Sequence, residues 1–305
     1  MTIRQTIQQS NFDSVIEPAR PDRAARLTIR LRVALIPLDP SVPWTAGSAG
    51  TPPSHIATAA SPVKYGLVND YLNRRSVPCR SFTTAEWNAF GIAFKQAVER
   101  GWNNQLILLP EEPGDGSGGL NDQDYRYFTG SPLVQAHAEG ALDIAVMPVG
   151  VPGHAQIEVA HLVTPGDDFR VWMHRITDES VQFHRHYDSD WPDWSALQIT
   201  AAHEAGHWLK SLSATHFEHI DAAYARTLPT AAQRAAKQYG RSTGREAALM
   251  GKGSVITEHE ARPWLTRIRR HTPMTLGWSM IHRVEFDKIK YRIGERQKQL
   301  AGHRI

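Results

Sequence analysis

The chain has 305 residues, of which 41% are hydrophobic and 21% charged, with a net charge of +3. That composition can bury a core and excludes wholesale disorder, no apolar run approaches the ~18 residues a membrane helix needs, and so small a charge argues for no nucleic-acid partner. The one cysteine, Cys79, excludes an internal disulfide framework, a cysteine-rich zinc finger or an iron–sulfur cluster, whereas fifteen histidines make metal binding the first question.

Residues 1–26 are polar and predict an N-terminal arm. Residues 1–11 lack the apolar stretch of a secretory signal, so the protein is expected either in the cytoplasm or exported by a route that reads no cleavable signal. Leu27, Ile29, Leu31, Val33 and Leu35 then alternate with Thr28, Arg30, Arg32 and Ala34, the period of a strand with one buried face. Residues 37–63 are rich in Pro, Ala, Gly and Ser and predict a long loop or insertion. Thr83 and Glu86 form a capping box, and Trp87, Phe90, Phe94, Ala97 and Val98 recur at helical spacing until Gly101. A short apolar strand is expected at 105–109. The glycine-rich residues 113–122 lack the Gly-Lys-Ser/Thr of a phosphate loop and predict a surface loop.

Residues 141–187 carry several short β-rich segments separated by turn residues. Trp194, Leu197, Ala201, Ala205, Trp208 and Leu212 recur at three and four, predicting one helix over 194–212. Residues 230–239 and 263–271 read as helical, 240–254 as turn-rich, and the basic residues 286–305 as a solvated strand or helix. Arg267, Arg269, Arg270 and His271 are expected on a solvated helix face. The whole reads as an α+β chain: the arm, a sheet-and-helix part over 27–193, and a mostly helical part over 194–305.

The chemistry concentrates in TAAHEAGHWL, where His203, Glu204 and His207 stand in the order H-E-x-x-H. Four residues is one helical turn, so both imidazoles can face one ion at ~2.0–2.1 Å. Glu204, beside the first histidine, can reach a water in zinc's open position and move its proton. With His and Glu each near 5% of residues, a random chain of this length yields about 0.04 such matches. A third ligand is still required. His219 is favoured, in a polar turn that can fold back under the helix end, with Asp221 able to orient its ring. His216, Asp221, Glu246, Glu258, His259 and Glu260 remain open alternatives. His184 and His186 lie on one face of an expected strand. His259, Tyr224 and Tyr239 are candidates to stabilise an oxyanion, and Cys79 has no matched base nearby in sequence.

HEAGH, a turn bearing histidines and acids, and then ALMGKGSV with Met250 together resemble the zincin metallopeptidases, and among them a metzincin-like arrangement. The resemblance rests on His203, Glu204 and His207, with Met250 in the place of a Met-turn, and covers roughly residues 84–271. It departs from the metzincin pattern at 209–213, where the glycine turn and the close third histidine are missing. It implies a twisted mixed sheet with a backing helix and an active-site helix. The activity implied is a zinc endopeptidase holding one Zn2+ through His203, His207 and His219, with Glu204 as general base and acid and a peptide or protein as substrate. Zincin-type bacterial effectors and toxins offer the nearest analogy for a protease exported without a leader, and an inhibitory or immunity-type partner is not readable from the residues. The alternative is a catalytically degenerate zincin fold serving as a binding module, which the missing short-spaced ligand motivates.

Overall fold

The computed structural model describes residues 5–8, 11–40, 42–43, 63–70, 73–111, 137–166, 169, 171–187, 195–209, 218–240, 245–272 and 277–302. In chain order the first strands are β1 (Gln5–Ile7), β2 (Asp13–Glu17), β3 (Ala25–Pro37), β4 (Val42–Pro43), β5 (Tyr65–Asp70) and β6 (Arg75–Arg80), followed by helix α1 (Thr84–Trp102). Then come β7 (Leu106–Glu111), β8 (Ala138–Met147), β9 (Ala155–Ala160), β10 (Arg175–Thr177), β11 (Phe183–Tyr187) and β12 (Ser195–Ile199). The remainder is α2 (Thr200–Gly206), α3 (Ala222–Ala225), α4 (Ala231–Lys237), α5 (Glu258–His271), β13 (Gly277–His282) and α6 (Arg283–Gly302). The chain is thus α+β, and it divides into two units: residues 1–30, 102–143 and 255–305 form one, and 31–101 and 144–254 the other.

The first unit holds β1, β2, β7, β13 and the first parts of β3 and β8, with β1 antiparallel to β2 and β7 antiparallel to β8. β2 pairs antiparallel with β3, and β13 antiparallel with β7. Helix α5 packs its apolar side inward. Its Trp264 stacks on Trp102 at 5.5 Å and donates its indole N–H to the Ala141 carbonyl at 2.9 Å. Thr257 and Glu260 close a capping box at its start, which satisfies backbone donors that have no intrahelical partner.

In the second unit the later half of β3 pairs parallel with β9, and β9 parallel with β10, so the sheet is mixed. β4, β5 and β6 form a separate antiparallel sheet, and β11 and β12 an antiparallel pair. Cys79 lies in an apolar cluster with Val68, Val77, Ala160, Leu162 and Phe169, with no access to solvent. α1 is held by Glu99, which accepts from Ile144 N at 2.9 Å, and by Lys95, which donates to the Ile144 carbonyl at 2.8 Å.

The alternation read in β3 is realised: Leu27, Ile29, Leu31 and Val33 are fully buried and Leu35 nearly so. The Thr83–Glu86 box caps α1 as expected, with Glu86 N donating to Thr83 Oγ1 at 3.3 Å and Thr83 N to Glu86 Oε2 at 2.9 Å. Other expectations need correction. The segment read as an arm supplies β1 and β2 and buries Phe12 and Val15, because β2 completes a ladder with β3 that local composition does not announce. Gly101 does not end α1. It sits inside the last turn, where a Cβ would come within 2.6 Å of the Ala202 Cβ, so the glycine marks a close approach. Residues 195–199 are strand β12, not the start of a helix. Leu197 fits a helical spacing with Trp194 and Ala201 as well as an alternation with Ile199, and pairing with β11 decides between them. The part after residue 194 contains β12 and β13 beside its helices, so a mostly helical C-terminal part is not supported. Arg269 and Arg270 are exposed as expected, but Arg267 and His271 are buried, Arg267 over the Phe12 ring and His271 against Ser14 Oγ at 3.1 Å. No described helix is long and apolar enough to cross a membrane. Most of 37–63, all of 113–122, and Trp194, Leu212 and His216 lie outside the described residues.

Candidate metal centre

The site is built in the second unit, where β12 runs directly into α2. Helix α2 has seven residues and its N-cap, Ile199, makes no side-chain capping bond. Isolated helices shorter than about 12–15 residues are marginal in water, so packing must hold this one. Ala201, Ala202 and Ala205 are fully buried, and Gly101 of α1 leaves the room for Ala202. His207 follows as the C-cap with helical dihedrals, φ −58° and ψ −23°. His203 and His207 therefore stay one turn apart on one face, with ring centroids separated by 5.1 Å.

His219 reaches the same place from a separate segment. Ile220 N donates to the Met250 carbonyl at 3.2 Å and Asp221 N to the Gln238 carbonyl at 2.9 Å, which ties residues 219–221 to the 245–253 turn and to the end of α4. The carboxylate of Asp221 is buried in an ion pair with Arg245. The result is a three-histidine cluster in which one nitrogen from each of His203, His207 and His219 lies within 4.8 Å of the others. The Nε2 atoms of His203 and His219 are 3.2 Å apart.

The chemistry of this donor set fits a zinc ion. Metal–nitrogen bonds of ~2.0–2.1 Å at tetrahedral angles put two ligand nitrogens about 3.3 Å apart, close to the His203–His219 spacing. His203 Nδ1 lies 2.8 Å from the Leu249 carbonyl oxygen. A carbonyl only accepts, so Nδ1 carries the proton and Nε2 presents its lone pair toward His219. Burial, reinforced by the neighbouring His207, pushes the His203 imidazole down to about 3, so it is neutral and ligand-competent at pH 7. Burial pushes the Glu204 carboxyl up to about 8. Its Oε2 stands 3.9 Å from His207 Nε2.

Each expected site residue now has a place. His203, Glu204, His207 and His219 come together. Among the described residues, the metal-capable group includes none of Asp221, Glu246, Glu258, His259 or Glu260. Asp221 pairs with Arg245, Glu246 is buried in the turn, and Glu258, His259 and Glu260 form the first turn of α5 in the other unit. Tyr239 packs on His219 at 4.2 Å between ring centroids, while Tyr224 is exposed. His184 Nε2 contacts the Glu179 carbonyl at 3.0 Å. Met250 is fully buried in the turn whose Leu249 carbonyl receives His203. Sequence reasoning missed Gln198 and that carbonyl, which stand five and forty-six residues from His203 and belong to no motif. In comparisons with protein-family models, curated proteins and solved structures, nothing matches the chain.

Proposed function

We propose that the protein is a zinc-dependent endopeptidase of zincin-like, metzincin-like architecture, with His203, His207 and His219 as ligands of one Zn2+ and Glu204 as general base and acid. The single observation that supports it is the convergence of a half-buried histidine from a distant turn onto the two imidazoles of the H-E-x-x-H helix, at a spacing suited to one ion. When bound there, zinc supplies a Lewis acid and lowers the pKa of water in its open position. The chain's own residues do the rest. Glu204, one residue from His203 and facing His207, accepts a proton from the attacking water and returns it to the leaving amine. The apolar surroundings that raise its pKa in the metal-free protein also make its proton affinity sensitive to a nearby cation, which favours the carboxylate. The fully buried Met250 in the turn beneath His203 supports the metzincin-like comparison.

Glu204→Gln tests the proposal. The variant binds one equivalent of zinc as the wild type does and loses peptide hydrolysis by roughly 10²–10⁴-fold, the usual contribution of a general base. Retained hydrolysis removes Glu204 from this role. Zinc content below about half an equivalent in mildly purified wild type favours the degenerate binding module instead.

A further inference from the structure

Behind the three histidines lies a second layer that no motif announces. Gln198, the residue before the end of β12, is buried. Its Nε2 lies 3.0 Å from the Leu249 carbonyl oxygen, 3.2 Å from that of Gly251 and 3.2 Å from that of Gly253. Those carbonyls belong to one tight turn, closed by Gly251 N donating to the Ala248 carbonyl at 2.9 Å and Lys252 N to the Glu246 carbonyl at 2.8 Å. The turn depends on glycine: a Cβ on Gly253 would stand 2.1 Å from the Ala247 carbonyl oxygen. The same Leu249 carbonyl accepts from His203 Nδ1 at 2.8 Å, and Gln198 Nε2 itself lies 3.3 Å from that nitrogen. His184, directly opposite Gln198 in the β11–β12 ladder, and His186, two residues along, lie on the Gln198 side of that strand pair.

We infer that Gln198 is a positioning residue for the metal centre: its carboxamide clamps the 249–253 turn so that the Leu249 carbonyl holds the proton of His203 on Nδ1 and leaves Nε2 free to ligate. The inference rests on the proposed zinc site for its consequence, though not for its geometry. An amide nitrogen has two hydrogens, and three carbonyl oxygens converge on this one. Carbonyl dipoles crowded together repel, so a donor at their focus is what lets the turn bring Leu249 to the histidine. The chain joins β12 to α2 with no intervening loop, which fixes the clamp and the ligand on one rigid segment.

Gln198→Met separates this role from bulk, because methionine has similar length and no donor. Two readouts are needed: titration of the metal-free protein with Co2+, followed by its visible absorption, and the ring-nitrogen NMR shifts of His203 in the metal-free protein. The expected result is a folded variant with Co2+ affinity weakened about 10–100-fold, the usual cost of losing an outer partner of a ligating histidine. A changed Co2+ spectrum and a His203 no longer held as the Nδ1–H tautomer are expected with it. Wild-type affinity and spectrum in the variant overturn the inference. Should the variant fail to fold, wild-type His203 decides: the Nδ1–H tautomer supports the clamp and the Nε2–H tautomer overturns it. Wild type that takes up no Co2+ defeats the proposed zinc site, and the tautomer then judges the clamp by the same rule.

Discussion

His219→Ala is the sharpest perturbation of the site, because His219 is the one proposed ligand that the H-E-x-x-H pattern does not supply. Its Nε2 stands 3.2 Å from that of His203, and its ring packs at 4.7 Å from the His207 ring and 4.2 Å from that of Tyr239. Structural zinc sites with four protein ligands bind with roughly 10–16 kcal/mol, or about 3 kcal/mol for each ligand. At 1.4 kcal/mol per factor of ten, loss of one imidazole weakens zinc by about 10²–10³-fold. His219 is half-buried and its segment is tied down by the backbone bonds of Ile220 and Asp221, so the fold survives the truncation. The assay is competition for zinc against a chromophoric chelator at pH 7, with far-ultraviolet circular dichroism to check folding. Glu246→Gln serves as the comparison and leaves affinity unchanged. An unchanged affinity in His219→Ala, or a loss in Glu246→Gln of the size expected for His219, refutes the assignment.

Two predictions concern stability. Gly253→Ala forces a methyl group against the Ala247 carbonyl, with only 2.1 Å available; overpacking of this kind costs about 1–3 kcal/mol, and a thermal midpoint equal to wild type contradicts the geometry. The second concerns pH. Burial, then the charge of Arg80, pushes buried His161 down to about 4 from its ordinary value of 6.5. Between those values the unfolded chain takes up a proton that the folded chain refuses, so stability falls as pH drops and is complete above 6.5. From pH 7 to 4.5 the loss attributable to this imidazole is about 2 kcal/mol. Asp178, 3.4 Å from His161 Nε2 and pushed upward by its own burial, titrates in both proteins. The difference between wild type and His161→Gln in denaturant unfolding therefore isolates the histidine. Equal pH slopes in the two proteins refute it.

What could be read in advance follows the range of the interactions involved. Local signals carried β3, where five apolar residues alternate, and the start of α1, where Thr83 and Glu86 bond across three positions. His203, Glu204 and His207 are legible for the same reason, since one helical turn relates them. His219 could be favoured from its polar turn, but its approach depends on Ile220 meeting Met250 thirty residues away. β2 was hidden because its partner, β3, is what makes a polar segment into a strand. At β12, Leu197 fits both the helical spacing of Trp194 and Ala201 and the alternation with Ile199, and the neighbour β11 settles which one folds. Gln198 had no signal at all: a lone glutamine gains its meaning from three carbonyls fifty residues farther along.

X-ray absorption at the zinc edge of the loaded wild-type protein bears most directly on the three-histidine centre. The expected spectrum shows one zinc per chain with nitrogen or oxygen neighbours at ~2.0–2.1 Å and the outer-shell scattering of three imidazoles, reduced to two in His219→Ala. Zinc bound without imidazole scattering, or with a pattern indifferent to His219→Ala, contradicts the account.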